Sequence, residues 1–398
     1  MSKVALLRCE NYNYSIVKEA IRKGIRLLGG PQCFAAAGEK ILLKPNILTA
    51  DPPEKCVTTH PAVLKAVAEI FKEAGAVVSF GDSPAVNIPN SAGLSIHSPR
   101  SAAKKAGLLD AAKEIGVELA DFENGNEVYT HKDFRDKSFV IAKGILENDG
   151  LISLPKLKTH SYQKMTGCIK NQFGCIPGVL KGEYHVKYTD VNDFARMLVE
   201  LNILIKPRLF VMDGIYAMEG DGPRGGTPKK MNLLLLSSDP VALDATVCRI
   251  INLDPTLVPT TKIGMELGLG THLINEIEIV GDEIKSFYDF KFNVVREPLK
   301  SFKQGTLTDY FRNKLVPKPY ILKSKCIRCG VCVRMCPVKN KAVDWHERDK
   351  TKAPSYNYKR CIRCYCCQEL CPENAIKLKV SLLRKLFRKL NIYKNYGG

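Results

Sequence analysis

The chain has 398 residues, 45% of them hydrophobic and 25% charged, with a formal net charge of +19. That length suggests two or three domains at about 150 residues each. Its apolar content is ordinary for a soluble protein, and no apolar run reaches the ~18 residues of a membrane span. The opening MSKVALLRCENYNYS lacks an apolar core followed by small residues. It reads as a first strand rather than an export signal, and a cytoplasmic location is expected.

The first 300 residues alternate two patterns. Strand-like apolar runs fall at 3–8, 40–43, 76–80, 138–141, 150–154, 208–212, 232–237 and 276–280. Helical periodicity falls at 15–28, 61–74, 191–205, 240–251 and 255–267. Pro61 behind His60, Pro240 behind Asp239 and Pro255 behind Asp254 mark first helical positions. The alternation predicts an α/β domain with a largely parallel sheet.

These strands end in polar loops. Lys44 and Asn46 come after the second, Asp82 and Ser83 after the third. Lys156, Lys158 and His160 follow the 151–154 run, and Asp213 follows 210–212. Open α/β sheets bind ligands outside the carboxyl ends of their strands, so these residues predict one pocket. Lys44, Lys156, Lys158, His160 and Lys170 would favour an anion, a carboxylate or a phosphate. Asp82, Asp213 and Glu219 would supply acid, base or metal-ligand capacity. A solvated side chain is the plain alternative for each lysine, and a structural hydrogen bond for His160.

Residues 167–178 read as a helix with a glycine on each flank, and the glycine-rich 220–228 as a functional loop or lid. Neither matches a Walker A loop or a dinucleotide fingerprint, so ATP and NAD are not expected. Cys56, Cys168 and Cys175 read as small buried apolar residues.

Nine of the fifteen cysteines lie near the end, in CIRCGVCVRMCP and CIRCYCCQELCP, and eight of them repeat one spacing. Both runs are C-x2-C-x2-C-x3-C-P, the spacing of a bacterial two-cluster ferredoxin, in which the fourth cysteine serves the other cluster. Cys326, Cys329, Cys332 and Cys371 are therefore assigned to one 4Fe-4S cluster. Cys361, Cys364, Cys367 and Cys336 are assigned to a second. A zinc ribbon would need pairs rather than runs of four. Cys366 lies off the spacing and reads as a spare thiol.

Residues 301–398 hold 23 Lys and Arg against 6 Asp and Glu, which is +17 of the net charge. Two oxidised clusters with their thiolates would lower that to about +13, still basic. The excess would screen the clusters and steer an acidic electron donor or acceptor protein. Nucleic acid is not expected, because few aromatics interleave the charge and no binding motif accompanies it. In the last residues Leu382, Leu383, Leu386, Phe387 and Leu390 recur at helical spacing among Arg384, Lys385, Arg388 and Lys389. A basic amphipathic helix of this kind lies on an anionic membrane, docks on a partner or packs on its own protein.

Six stretches carry a resemblance. They are LLKPNIL (42–48), TTHPAVLKAV (58–67), GDSP (81–84), LPKLKTHSYQKMTGCIKNQFGCIPG (154–178), DGIYAMEGDGPRGGTP (213–228) and SSDPVALDATVCRI (237–250). With them the chain resembles the domain of unknown function 362 family, and the cysteine runs extend the likeness to about residue 380. The resemblance implies an α/β domain followed by a ferredoxin-like one, and the chain is divided accordingly into an α/β domain over 1–300, a linker over 301–318, a small α+β two-cluster ferredoxin domain over 319–380 and a basic tail over 381–398. It adds Asn171, Asp239 and Asp244 to the residues to test, though Asp239 also suits a helix cap. It implies no substrate.

The leading expectation is an iron–sulfur oxidoreductase that passes electrons from two clusters to an anionic substrate at the strand ends. Lys158, His160, Asp82 and Asp213 are its catalytic candidates, and Lys44, Asn46, Lys156, Lys170, Asn171 and Glu219 its binding candidates. The alternative is a ferredoxin-like electron-transfer or adaptor protein that docks on a partner enzyme without catalysis of its own.

Overall fold

The first strand shows why the sheet forms where it does. In β1 (Ser2–Arg8), Val4, Ala5, Leu6 and Leu7 are all buried, without the polar alternation of a half-exposed strand. Successive side chains point to opposite faces. Accordingly Ala5 and Leu7 join the core on one face, and Val4 and Leu6 the core on the other. A continuous apolar run is what a strand covered on both faces requires.

The structure is a computed structural model and describes residues 1–85, 98–299 and 316–379. The remaining strands of the first part are β2 (Lys40–Pro45), β3 (Val77–Phe80), β4 (Glu118–Leu119), β5 (Gly125–Tyr129), β6 (Ser138–Ala142), β7 (Gly150–Leu154), β8 (Lys156–His160), β9 (Lys164–Met165), β10 (Leu209–Glu219), β11 (Thr227–Ser237) and β12 (Ile277–Gly281). The sheet runs β12-β1-β11-β10-β7-β2-β3-β4. Only β11 runs against the others along this path, pairing antiparallel with both β1 and β10. The carboxyl ends of β1, β2, β3, β7 and β10 therefore share one edge. One face is covered by helices Tyr14–Leu27 and Pro61–Glu73, the other by Pro240–Ile250. The fold is α/β with a largely parallel sheet.

One expected loop is a strand. After Pro155 the chain continues as β8, which pairs parallel with β10 instead of with β2. Its polar sequence hid it, yet all five residues are buried. The two-residue period puts Lys156, Lys158 and His160 on one face. The expected lid over 220–228 is largely the connection of the β10–β11 hairpin, whose paired ends are Glu219 and Thr227.

The chain divides into two compact units, Met1–Lys181 with Asn192–Glu297, and Gly182–Val191 with Pro298–Gly398. The sequence reading had left 182–191 in the first domain. Of the linker expected over 301–318, residues 301–315 lie outside the described residues, as does the whole basic tail over 381–398.

In the second unit β13 (Lys318–Ile321) pairs antiparallel with β16 (Ile376–Lys379), and β14 (Val343–Asp344) with β15 (Ser355–Tyr356). The two cysteine runs bend alike. Arg328 and Arg363 have φ of 59° and 63°, and Gly330 and Tyr365 have 72° and 64°. Left-handed residues at matching positions wrap each loop before its short helix, Val331–Arg334 or Cys366–Glu369. Glycine takes that conformation freely, whereas a tyrosine there costs on the order of 1–2 kcal/mol.

Candidate functional site

Two buried lysine–aspartate pairs stand at the strand-end edge. At the end of β2, Lys44 is fully buried and its Nζ lies 2.7 Å from Asp82 Oδ1. Lys44 Nζ also donates to the Asn171 carbonyl at 2.6 Å. The other Asp82 oxygen accepts from Ile47 N–H at 2.6 Å. Burial pushes the Asp82 carboxyl upward against the pull of Lys44 and Lys181. Asn171 donates through Nδ2 to Ser153 Oγ (2.9 Å) and to the Lys44 carbonyl (3.3 Å). That fixes its amide, whose Oδ1 accepts from Asn46 Nδ2 at 3.1 Å. Asn46 Oδ1 then points the other way, buried and without a partner among the described residues, as is Thr58 Oγ1.

The second pair spans β8 and β10. Lys156 Nζ donates to Asp213 Oδ2 and to Tyr12 Oη, both at 2.8 Å. Tyr12 Oη donates to Asp213 Oδ1 at 2.8 Å, and His60 N–H to Asp213 Oδ2 at 3.0 Å. Lys156 and Asp213 are buried, while Tyr12 and His60 are partly exposed and stack with ring centres 3.6 Å apart. Burial holds the His60 imidazole down to about 4, so it is neutral at ordinary pH. Burial and Asp213 raise the Tyr12 phenol, so it keeps its proton. Thr59 ties the two halves together, accepting from Asn46 N–H at 2.9 Å and donating to the Leu154 carbonyl at 2.5 Å.

The other candidates are placed differently. Lys158 is buried and donates to the Val57 carbonyl at 2.6 Å. His160 Nδ1 accepts from the backbone of Tyr162 (3.0 Å) and Gln163 (3.2 Å), the structural use of an imidazole. Lys170 is half-buried, its ammonium 5.8 Å from the Phe173 ring centre. Glu219 accepts from Asn293 N–H at 2.8 Å, pinning a loop. Asp239 caps helix Pro240–Ile250 through Val241 and Ala242. Asp244 accepts from Cys168 and Ile169 N–H, and burial pushes it up to about 7.

Sequence reasoning missed Tyr12, His60 as a site residue, and Lys181. Lys181 Nζ donates to Ser83 Oγ at 2.7 Å and to the Ile176 carbonyl at 2.8 Å, and burial holds it down to about 7. Tyr12 follows the end of β1, so the strand-end rule could have found it. Nothing local marks Lys181. Gly174 was passed over as well. A Cβ there would stand 1.9 Å from Asp82 Oδ1 and 2.7 Å from Lys44 Nζ, so only glycine lets the 172–175 turn lie against that pair.

In the second unit the eight cysteines sort into two recesses. Cys326, Cys329, Cys332 and Cys371 line one, and Cys336, Cys361, Cys364 and Cys367 the other. Each set takes its last member from the opposite run. Among the described residues no three His, Cys, Asp or Glu side chains gather closely enough for a single ion. Four thiolates that stand apart around a recess fit the corners of a 4Fe-4S cube. Backbone N–H groups of Ala342 and Ala375 donate to the sulfurs of Cys336 and Cys371, each at 3.3 Å, and Tyr356 Oη to Cys367 Sγ at 3.2 Å.

Residues 325–375 match the family described as a 4Fe-4S dicluster domain, which makes this an iron–sulfur protein with an electron-transfer role. The thylakoid-associated protein sll1697 of Synechocystis sp. is 36% identical over 270 residues, covering 68% of this chain and 80% of that protein. Two solved structures are distant. The lactate racemase apoprotein of Thermoanaerobacterium thermosaccharolyticum is 13% identical with a TM-score of 0.37, over 60% of this chain and 55% of that one. A Thermotoga maritima protein is 13% identical with a TM-score of 0.35, over 65% and 60%. The chain thus spans less than two thirds of either, and neither bears on its function. Among the described residues no helix is long and apolar enough to cross a membrane. Residues 41–249 match the family described as a domain of unknown function (DUF362), and with that match and the Synechocystis relative the chain belongs to this family.

Proposed function

We propose that the chain carries electrons on two 4Fe-4S clusters and delivers them, one at a time, to a small anionic substrate at the strand ends of its α/β unit. The observation that carries the reading is the sorting of eight cysteines into two recesses of four. The clusters would supply one-electron reduction. The substrate half is supported by three buried lysines, Lys44, Lys156 and Lys158, along one sheet edge. Such groups are costly to bury, and sites for anions and protons are where that cost is commonly met. Asn46 Oδ1 would accept from a hydroxyl or amine of the substrate. Reduction consumes protons as electrons arrive. The Tyr12–Asp213–Lys156 network, half open to solvent through Tyr12, would replace them.

The test is an anaerobic dithionite titration of reconstituted full-length protein, followed by EPR, with a panel of carboxylates and phosphate. Eight iron atoms per chain and two one-electron signals are expected, with one signal perturbed by an anion. Lys156→Met should keep both signals and lose the perturbation. Four iron atoms, or signals indifferent to every anion, would defeat the corresponding half of the reading.

A second reading, electron transfer to a partner without turnover, is favoured by the basic charge of the second unit and by the thylakoid association in the relative's name. Substrate reduction by the isolated chain would exclude it.

A further inference from the structure

We infer that an open groove beside the cysteines Cys336, Cys361, Cys364 and Cys367 is the electron port, and that it receives an acidic redox protein. The groove has a volume of about 910 Å³ and is formed largely by β14, β15 and the segments that flank them. Tyr356 both lines it and donates through Oη to Cys367 Sγ at 3.2 Å. One side chain therefore reaches from a cluster ligand to the groove wall. The Tyr358 ring stacks on it, with centres 5.7 Å apart and planes 9° from parallel. Trp345, the chain's single tryptophan, lines the groove too. Aromatic walls over a cluster ligand give a partner a close approach with no long side chain in between.

Charge decides the occupant. Lys339, Lys359 and Arg360 are exposed on the groove, against Asp344 and Glu347. A basic rim speeds the encounter with an acidic surface and orients it. The chain's own segment 380–398 has five basic residues and no acidic one, the wrong sign for this groove. The port rests on the electron-carrier reading, and the experiment separates the two.

Full-length protein is reconstituted anaerobically, reduced with dithionite, freed of excess reductant and mixed in a stopped flow with an oxidised, strongly acidic flavodoxin. Each reduced cluster gives up one electron. The flavin takes that electron and one solvent proton to become the neutral blue semiquinone, so the transfer balances. Lys339→Glu/Lys359→Glu should slow the second-order step about tenfold at low ionic strength and flatten its salt dependence. Lys323→Glu/Lys325→Glu makes the same charge change beside the other cysteine set, and should stay within about threefold of the parent. Iron content and cluster absorbance confirm that both variants are loaded. If the two variants slow equally, or neither slows, the port assignment is wrong although electron carriage stands. If the parent's clusters accept no electron from dithionite, the carrier reading and the port fall together.

Discussion

Taking a lysine and an aspartate out of water costs several kcal/mol for each ion before their attraction is counted. Lys44–Asp82 and Lys156–Asp213 are both buried that deeply, at 2.7 and 2.8 Å. A pair of this kind adds little net stability, but breaking it is expensive. Lys156→Met should therefore destabilise the α/β unit by about 3–5 kcal/mol, and Lys156→Met/Asp213→Leu should recover much of the loss. Thermal unfolding of the loaded protein checks this. A double variant worse than the single would show that Asp213 does more than neutralise Lys156. Two further buried groups act through pH. Asp244 is pushed from 3.8 up to about 7. Across that interval the folded chain holds a proton that the unfolded chain has lost, so stability falls as pH rises from about 4 to 7. Lys181 is pushed from 10.5 down to about 7. Across that interval the unfolded chain holds the extra proton, so stability rises with pH from about 7 to 10.5. Asp244→Asn should remove the first slope and Lys181→Met the second in a series of unfolding midpoints against pH. Parent and variant curves of the same shape would contradict both assignments.

Elements with apolar faces were legible in the sequence, and elements made of polar residues were not. β1, β7 and helix Val191–Ile205 fall close to where their periodicity puts them. β8 was read as a loop because Lys156, Lys158 and His160 do not look like a buried strand. Their burial depends on partners far away in the chain. Tyr12 and Asp213 are 201 residues apart, and Lys44 and Asn171 are 127 apart. Strand-end position identified Lys44, Asp82, Lys156 and Asp213 as candidates. It could not say that they would meet in pairs, or that Lys181 would join one of them. The turn Gln172–Cys175 shows how little room that meeting leaves. Gly174→Ala should drive the turn off Asp82 and Lys44 and cost about 2–4 kcal/mol, as overpacking and a broken buried pair together would. Unchanged unfolding would mean that the turn can shift freely. The cysteine loops were legible by contrast, because their spacing is local. Cys336→Ser should disturb the cluster held by Cys361, Cys364 and Cys367 and leave the other signal intact, which EPR of the reduced protein can decide. Disturbance of the signal belonging to Cys326, Cys329 and Cys332 instead would mean that each run keeps its own fourth ligand.

At the scale of the whole chain the governing quantity is the placement of charge, with +17 of the +19 in residues 301–398. Electron carriage alone does not call for so large an excess, and clusters with their thiolates offset only about a quarter of it. The basic groove accounts for part. Residues 381–398 account for more, with five Lys and Arg and no acidic residue. Near an anionic bilayer each basic residue contributes on the order of 1 kcal/mol, and the apolar residues at helical spacing between them would add insertion into the interface. Full-length protein should therefore co-sediment with phosphatidylserine-containing vesicles at low salt and be released as salt screens the attraction. A chain ending at Lys379 should stay in the supernatant with its iron content unchanged. Co-sedimentation of both would move the contact to the lysines and arginines of the cluster unit. Sedimentation of neither would leave the tail to a protein partner, and the same truncation would then be read in the flavodoxin assay, where loss of the salt dependence would show that the tail, rather than the groove rim, does the steering.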